Sequence, residues 1–339
     1  MDALQSIGIF AAQTFLVLFA ILAVIVTIAM VASKAGDKSE IQIELLHKKY
    51  KSFKNLLKSQ TSTKSERKEL KKTLKEERKN QEKDSRTHEK KIFVVDFDGD
   101  IKASAVQHLR EEITAILTSA TDQDEVVARV ESPGGMVHGY GLAASQLLRV
   151  REKGIPLTVC VDKVAASGGY LMSCTANKIL CAPFAIVGSI GVVAQVPNVH
   201  RVLKKFDVDY KEYTAGEYKR TVSLLGEITP KGEEKFKEQL EDTHVLFKSF
   251  VSRFRPHMNI AEVATGEYWY GEQALTKGLV DEIRTSDDYL LSLSEKHQII
   301  KVKYEHHESL SDKLTGILGK AFKKGSLSVL EELETRRFL

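Results

Sequence analysis

The chain has 339 residues, of which 42% are hydrophobic and 28% are charged, and its formal net charge at pH 7 is +4. This composition excludes a wholly disordered chain, and six prolines and 21 glycines exclude collagen-like or proline-rich low complexity. Three cysteines without a C-x-x-C pair exclude a disulfide framework and a cysteine-based zinc site.

The chain begins with an apolar segment. Residues 9–32 contain no charged side chain and are mostly Phe, Leu, Ile, Val and Ala. A helix of this length, at about 1.5 Å per residue, spans the ~30 Å hydrocarbon core of a membrane. A cleaved signal peptide is the alternative, but no Lys or Arg precedes the segment, and it exceeds the apolar length of about 7–15 residues typical of signal peptides. We therefore predict a transmembrane anchor over residues 1–33.

A basic segment follows, predicted to extend over residues 34–91. Residues 33–91 hold 19 Lys or Arg against 10 Asp or Glu. Binding of nucleic acid would need aromatic side chains for base stacking, and only Tyr50 and Phe53 are present. We predict instead a partly helical, solvated stalk that is attracted to anionic lipid head groups. Because its lysines directly follow the apolar segment, the positive-inside rule places the stalk and the remaining chain in the cytoplasm.

Residues 92–339 are predicted to form one globular domain in which strand, turn and helix signals alternate. Repeated strand–turn–helix units indicate an α/β fold with parallel strands and crossover helices. The predicted strands cover residues 93–97, 125–130, 157–161 and 178–181, and the predicted helices cover residues 109–119, 138–153 and 168–176.

Two glycine-containing turns could supply catalytic groups. Ser132-Pro133-Gly134-Gly135 follows a predicted strand, and its glycines leave backbone amides open to a developing oxyanion. Ala166-Ser167-Gly168-Gly169 places a hydroxyl among small residues at a predicted helix start. The structural alternatives are a tight strand-to-helix turn for the first and an ordinary serine N-cap for the second.

A catalytic serine needs a base. His138, His200 and His244 lie in no recognisable catalytic context. A lysine can serve where burial keeps it neutral, and Lys219, which follows Gly216, is a candidate. The alternative for Lys219 is an ordinary solvated lysine.

Five motifs in a fixed order carry a family resemblance. The ordered set resembles the signal peptide peptidase A family of membrane serine proteases, and above all its short, single-repeat branch with an N-terminal anchor and a charged stalk. The resemblance covers about residues 92–290 and implies a ClpP/crotonase-like fold of repeated ββα units, with a helical extension after it. The motifs are Ser132-Pro133-Gly134-Gly135, Ala166-Ser167-Gly168-Gly169-Tyr170, Gly188-Ser189-Ile190-Gly191-Val192, Tyr218-Lys219, and Gly271 through Gly278-Leu279-Val280-Asp281.

The resemblance implies a role for five residues. Ser167 matches the nucleophile and Lys219 the general base, while Ser189 matches the hydroxyl that positions the lysine amine. The amides of Gly135 and Gly168 match the oxyanion donors. The chain departs from the family at residue 131, where Glu stands in place of a frequent Asn. No metal or organic cofactor is implied.

The implied function is that of a membrane serine endopeptidase which cleaves hydrophobic peptides, such as remnant signal peptides or fragments of membrane or misfolded proteins. Short family members assemble as homo-oligomeric rings in which neighbouring chains share each active site, and we expect the same here. The implied location is the bacterial inner membrane, attached by a single span. The best-known relatives act on its outer side, whereas the charge rule favours the cytoplasm, so both sides stay open.

Three other functions compete with this one. A crotonase-like acyl-CoA enzyme would use two backbone amides to hold a thioester enolate, without requiring Ser167 or Lys219. In an α/β-hydrolase, Ala165-x-Ser167-x-Gly169 would form the nucleophile elbow. That fold also needs an acid and then a histidine downstream in matching contexts, and these are not evident. A non-catalytic membrane scaffold would use the stalk and ring for assembly.

Overall fold

The computed structural model describes residues 40–69 and 90–305, together with Leu16 and Lys72. The chain divides into two compact units, one of which is Gln42–Lys303. The other comprises Met1–Ile41 and Tyr304–Leu339 and contains few described residues. The predicted anchor lies outside the described residues apart from Leu16. Within the described part of the chain, no helix is long and apolar enough to cross a membrane.

The described residues alternate between short strands and helices. The strands are β1 (Glu40–Leu45), β2 (Lys91–Asp98), β3 (Glu125–Glu131), β4 (Leu157–Val161), β5 (Val164–Ala166), β6 (Lys178–Cys181), β7 (Ile186–Gly188), β8 (Tyr268–Tyr270), β9 (Glu282–Ile283) and β10 (Gln298–Glu305). The helices are α1 (Leu46–Thr61), α2 (Val106–Leu117), α3 (Val137–Glu152), α4 (Gly168–Ser173), α5 (His200–Lys205), α6 (Pro230–Phe254), α7 (Ile260–Val263), α8 (Gly271–Thr276) and α9 (Ser286–Leu293).

The strands form two sheets. The larger has seven strands in the order β1-β10-β2-β3-β4-β6-β9, and its pairs from β10 to β9 are all parallel. The smaller has the order β5-β7-β8, in which β5 and β7 are parallel and β7 and β8 antiparallel. The mixed α/β fold with parallel strands and crossover helices, predicted from the alternating pattern, is confirmed.

Hydrophobic patterning explains why these elements form. The central strand β4 is buried at every position, as expected for a parallel strand covered on both faces. In α2, the buried residues Val106, Leu109, Ile113 and Ile116 recur every three or four positions, which places them on the helix face toward the sheet. One side of the larger sheet therefore carries the main core with α2, α3 and α4, and the other side packs against Leu46 of α1 and Leu290 of α9.

The structure differs from the sequence expectations at both ends of the larger unit. The unit begins at Gln42, within the segment predicted as a stalk, because α1 buries Leu46 against Ile92 and Ile299. The predicted helical extension after residue 290 is wrong for residues 298–305, which form β10 beside β2. Val302 and Ile299 are buried on opposite faces of this strand, so sheet pairing is favoured over a helix.

Candidate active site

Ser167 lies at the turn between β5 and α4. Its backbone has φ 51° and ψ −116°, outside the regions that a non-glycine residue ordinarily occupies. Two hydrogen bonds hold this conformation, from Ser167 N to Gly188 O (2.8 Å) and from Leu171 N to Ser167 O (2.9 Å). The Ser167 side chain makes no capping bond to α4. The alternative of a plain serine N-cap is therefore wrong, and the half-buried hydroxyl is available for chemistry.

The Ser132-Pro133-Gly134-Gly135 turn packs directly on Ser167. Ser132 N donates to Val164 O (2.8 Å) and Ala166 N donates to Ser132 O (3.0 Å), so the turn is bonded to the strand that leads into Ser167. A Cβ on Gly134 would lie 2.7 Å from Ser167 Cβ and 2.8 Å from Gly168 N. Gly134 also has φ +91°, which glycine adopts without strain. Only glycine permits this approach.

The two predicted oxyanion donors come from these two turns. Gly135 is exposed, and its N–H makes no hydrogen bond within residues 40–69 and 90–305. Gly168 N is also without a bonded partner in that part of the chain, as expected for the first residue of a helix. Gly134 brings the two turns into contact, because a Cβ there would meet both Ser167 and Gly168.

The buried hydroxyl groups of Ser132 and Tyr140 stabilise these turns, and the sequence analysis did not identify them. Ser132 Oγ donates to Tyr140 Oη (2.5 Å), which donates in turn to Asp100 O (2.7 Å). Ser132 Oγ accepts from Gly134 N (3.1 Å). The ring of Tyr140 fills the space beside Gly168, where a Cβ would overlap it. A tyrosine five residues after a glycine-rich turn was the available sequence signal, but nothing local showed which glycine it would contact.

We expect Gly168→Ala to lower both stability and peptidase activity. The added methyl group overlaps the Tyr140 ring, and overpacking of this kind costs about 1–3 kcal/mol. The shift also displaces the Gly168 amide, and loss of one oxyanion donor lowers kcat by about 10²–10³-fold. Thermal unfolding and steady-state hydrolysis measure the two effects. Gly141→Ala is the matched control, because a Cβ there meets no atom within 4 Å. Equal behaviour of the two variants would contradict this account.

Ser189 is brought beside Ser167 by strand pairing. In the parallel register of β5 and β7, Ala166 is the partner of Gly188, so Ser167 and Ser189 are the next residues of adjacent strands. Ser189 has φ 53°, and its N–H donates to Glu267 O (2.7 Å). Two of the three predicted catalytic residues thus directly follow the paired ends of neighbouring strands in one chain.

Lys219 lies outside the two paired strands that precede these serines. It belongs to the segment between α5 and α6, where residues 209–220 are exposed, and its N–H donates to Gly216 O (3.1 Å). Within the described residues, no hydrogen bond or ion pair joins its side chain to Ser167 or Ser189.

A second set of hydrogen bonds, also not predicted from the sequence, connects α4 and the end of α6 to residues 279 and 281. Tyr170 Oη donates to Leu279 O (2.9 Å). Arg255, whose side chain is only 3% exposed, donates to both carboxylate oxygens of Asp281 at 2.8 and 2.7 Å. Asp281 Oδ2 also accepts from Ile179 N (2.7 Å). The Gly-Leu-Val-Asp motif therefore has a structural role, because its residues bond to Tyr170 of α4 and to Arg255 at the end of α6.

Other nucleophiles and metal-binding groups do not fit the site. Burial raises the pKa of Cys160 and Cys181 to about 12, so both stay protonated thiols at neutral pH. His244 Nε2 contacts the backbone oxygen of Ile190 (3.2 Å). Among the described residues, no group of three or more His, Cys, Asp or Glu could hold a metal ion.

Comparison with known proteins identifies the family. The model of the peptidase family S49 N-terminal region matches residues 2–147, and that of peptidase family S49 matches residues 149–300. Together they cover almost the whole chain, and the class of protein is therefore a peptidase. The chain belongs to peptidase family S49, which confirms the family predicted from the ordered motifs.

Individual relatives extend over most of the chain. The probable protease SohB of Haemophilus influenzae is 46% identical over 99% of this chain and 98% of its own length. The probable protease SohB of Buchnera aphidicola subsp. Schlechtendalia chinensis is 47% identical over 86% of this chain and 100% of its own. Among solved structures, a mutant of the 1510-N membrane-bound stomatin-specific protease matches with a TM-score of 0.40 and 16% identity, over 61% of this chain and 85% of that one. Family membership favours a peptidase over the acyl-CoA enzyme, the α/β-hydrolase and the scaffold.

Proposed function

We propose that this chain is a membrane-anchored serine endopeptidase with a Ser/Lys dyad on a ClpP/crotonase-like fold. Ser167 is the nucleophile, Lys219 the general base, and the Ser189 hydroxyl positions the lysine amine. The Gly135 and Gly168 amides bind the oxyanion. The observation that carries the proposal is the backbone of Ser167, which is held at φ 51° between a glycine turn and Ser189 while its hydroxyl is left unused.

The proposed reaction proceeds through an acyl-enzyme. Neutral Lys219 Nζ takes the proton of Ser167 Oγ as that oxygen attacks the carbonyl carbon of a peptide bond. The amides donate to the oxygen of the tetrahedral intermediate. Lysine then protonates the leaving amine, and the acyl group stays on Ser167. Water attacks this ester after losing a proton to Lys219, which releases the new carboxylate and restores the serine.

The placement of Lys219 supports an active site shared between chains. Lys219 is exposed in the single chain, so we propose that a neighbouring chain covers it and supplies the low-dielectric surroundings that favour a neutral amine. The same segment exposes large apolar side chains, among them Val202, Phe206 and Tyr213, as a surface that pairs with a neighbour would. We propose a homo-oligomeric ring in which Ser167 and Lys219 of each site belong to neighbouring chains.

The proposed substrate and location are supported by the apolar character of the chain. Met136 and Val137, next to Gly135, are exposed, which suits hydrophobic peptides such as remnant signal peptides or membrane and misfolded protein fragments. Anchoring by residues 9–32 in the bacterial inner membrane would bring such peptides to the site. Lipid and peptide are the proposed partners, and the chemistry needs no cofactor.

Acyl-enzyme trapping tests the proposal. A hydrophobic peptidyl p-nitrophenyl ester is mixed with the detergent-solubilised full chain, quenched in acid, and the acyl group is located by mass spectrometry of proteolytic fragments. We expect an initial burst and an acyl group on Ser167 in wild type and in the Ser145→Ala control. Ser167→Ala should show neither. An acyl group on another residue, or none in protein that hydrolyses peptides, would refute the proposal.

A further inference from the structure

An exposed aromatic surface lies on the smaller sheet. In β8, Trp269 is 9% exposed and packs in the core with Ala165 and Val187. Side chains alternate along a strand, so Tyr268 and Tyr270 lie on the opposite, outer face. They are 55% and 42% exposed. The alternation that buries the tryptophan therefore leaves both tyrosines in solvent.

Phe184 extends this surface. It is 85% exposed, and its ring meets that of Tyr270 edge to face with centroids 6.4 Å apart. The rings of Tyr268 and Tyr270 make a similar contact at 6.1 Å. We call Phe184, Tyr268 and Tyr270 the aromatic face. Contiguous exposed aromatic rings of this kind mark binding surfaces, because they offer large apolar area with few rotatable bonds.

The aromatic face is continuous with the candidate active site. Tyr268 is the strand partner of Gly188, and Gly188 is the partner of Ala166, which precedes Ser167. Two strand spacings separate Tyr268 from Ala166, a distance of about 10 Å. The adjoining residue Glu267 accepts a hydrogen bond from Ser189 N (2.7 Å) through its carbonyl oxygen. The aromatic face and the two candidate catalytic serines therefore lie at the same end of the smaller sheet.

We propose that the aromatic face is a substrate subsite which selects an apolar side chain of the bound peptide. An extended peptide advances about 3.3 Å per residue, so the selected side chain lies about three residues from the scissile bond. The rings stabilise aliphatic and aromatic side chains by burying them, whereas a carboxylate there would lose hydration without gaining a partner. This inference rests on the proposed function and adds to it which residues select the substrate.

The test compares peptides that differ at one position. Fluorogenic octapeptides carry either Phe or Ser at each position from four before to four after the scissile bond, and kcat/KM is measured with the detergent-solubilised full chain. Wild type should prefer Phe by about 10-fold or more at a position near the third from the bond. Tyr268→Ser should reduce this preference to about 3-fold or less. Leu291→Ser is the control, because Leu291 is equally exposed, at 55%, but lies on α9.

The outcomes separate this inference from the proposed function. If wild type cleaves the peptides through Ser167 but Tyr268→Ser keeps the full preference, the subsite is wrong and the peptidase stands. If Tyr268→Ser dissociates the assembly in sedimentation and loses activity equally on all peptides, the aromatic face is a contact between copies of the chain, and the subsite is again wrong. If wild type forms no acyl-enzyme on Ser167 and cleaves nothing, both proposals fail.

Discussion

Ser167→Ala and Lys219→Ala are each expected to lower kcat/KM for a hydrophobic fluorogenic peptide by about 10⁴-fold or more. The first removes the attacking oxygen, and the second removes the group that takes its proton, so either loss stops the same step. Steady-state hydrolysis by detergent-solubilised protein measures the effect. Lys211→Ala is the matched control, since Lys211 is an exposed lysine of the same segment, and it should retain activity. Equal cleavage by all variants would reject the dyad.

If each active site is shared between neighbouring chains, a mixture of the two variants should regain activity. Neither variant is active alone, but a mixed assembly combines an intact Ser167 from one chain with an intact Lys219 from its neighbour. Random mixing in equal amounts should restore about one quarter of wild-type activity, because about a quarter of the heterologous interfaces in a ring pair the two intact residues. A mixed assembly, verified by differently tagged chains, with no activity above that of its parents would show that each site is built within one chain.

Asp281→Asn is expected to cause the largest loss of stability. Arg255 is almost wholly buried, and Asp281 supplies both of its charged contacts. The Asp281 side chain is 29% exposed, but its removal leaves the charge of the buried Arg255 uncompensated, at a cost of up to about 3–5 kcal/mol. The apparent Tm should fall by on the order of 10 °C. Glu262→Gln is the control. It breaks the ion pair between Glu262 and Lys277, which has the same 2.7 Å length, but Glu262 is exposed. The loss of this pair should cost less than about 1 kcal/mol.

The Asp281 contact also predicts a pH dependence. Burial by itself raises the pKa of Asp281, but hydrogen bonds from Arg255 and Ile179 N outweigh it and hold the pKa below its ordinary value of 3.8. A carboxyl group with a lowered pKa in the folded state stabilises the protein fully above its unfolded pKa, and this stabilisation is lost as pH falls through the folded pKa. The Tm difference between wild type and Asp281→Asn should therefore be constant from pH 7 to about 5 and shrink below about pH 4. A difference that grows on acidification would contradict the assignment.

Local sequence was sufficient where the signal was short-range. The strands Leu157–Val161 and Lys178–Cys181 have the predicted bounds, because each is a continuous apolar run between turn residues. The helix predicted from residue 138 begins at Val137, after a glycine turn that no helix could include. Ser167, Gly134 and Gly135 were evident as small residues at strand-to-helix turns. Patterns of this kind depend only on neighbours within a few positions along the chain.

Tertiary structure alone decided which of these turns meet. The pairing of β5 with β7 sets Ser189 beside Ser167, and Tyr140 fills the space that requires glycine at residue 168. Arg255 finds Asp281, and β10 pairs with β2 from about 200 residues away in sequence. The free energy of such contacts comes from burial and hydrogen bonding between distant segments, for which local propensity carries no signal. The sequence by itself predicted the candidate site residues and determined the alternating α/β order, and only the packing decided which distant residues come together.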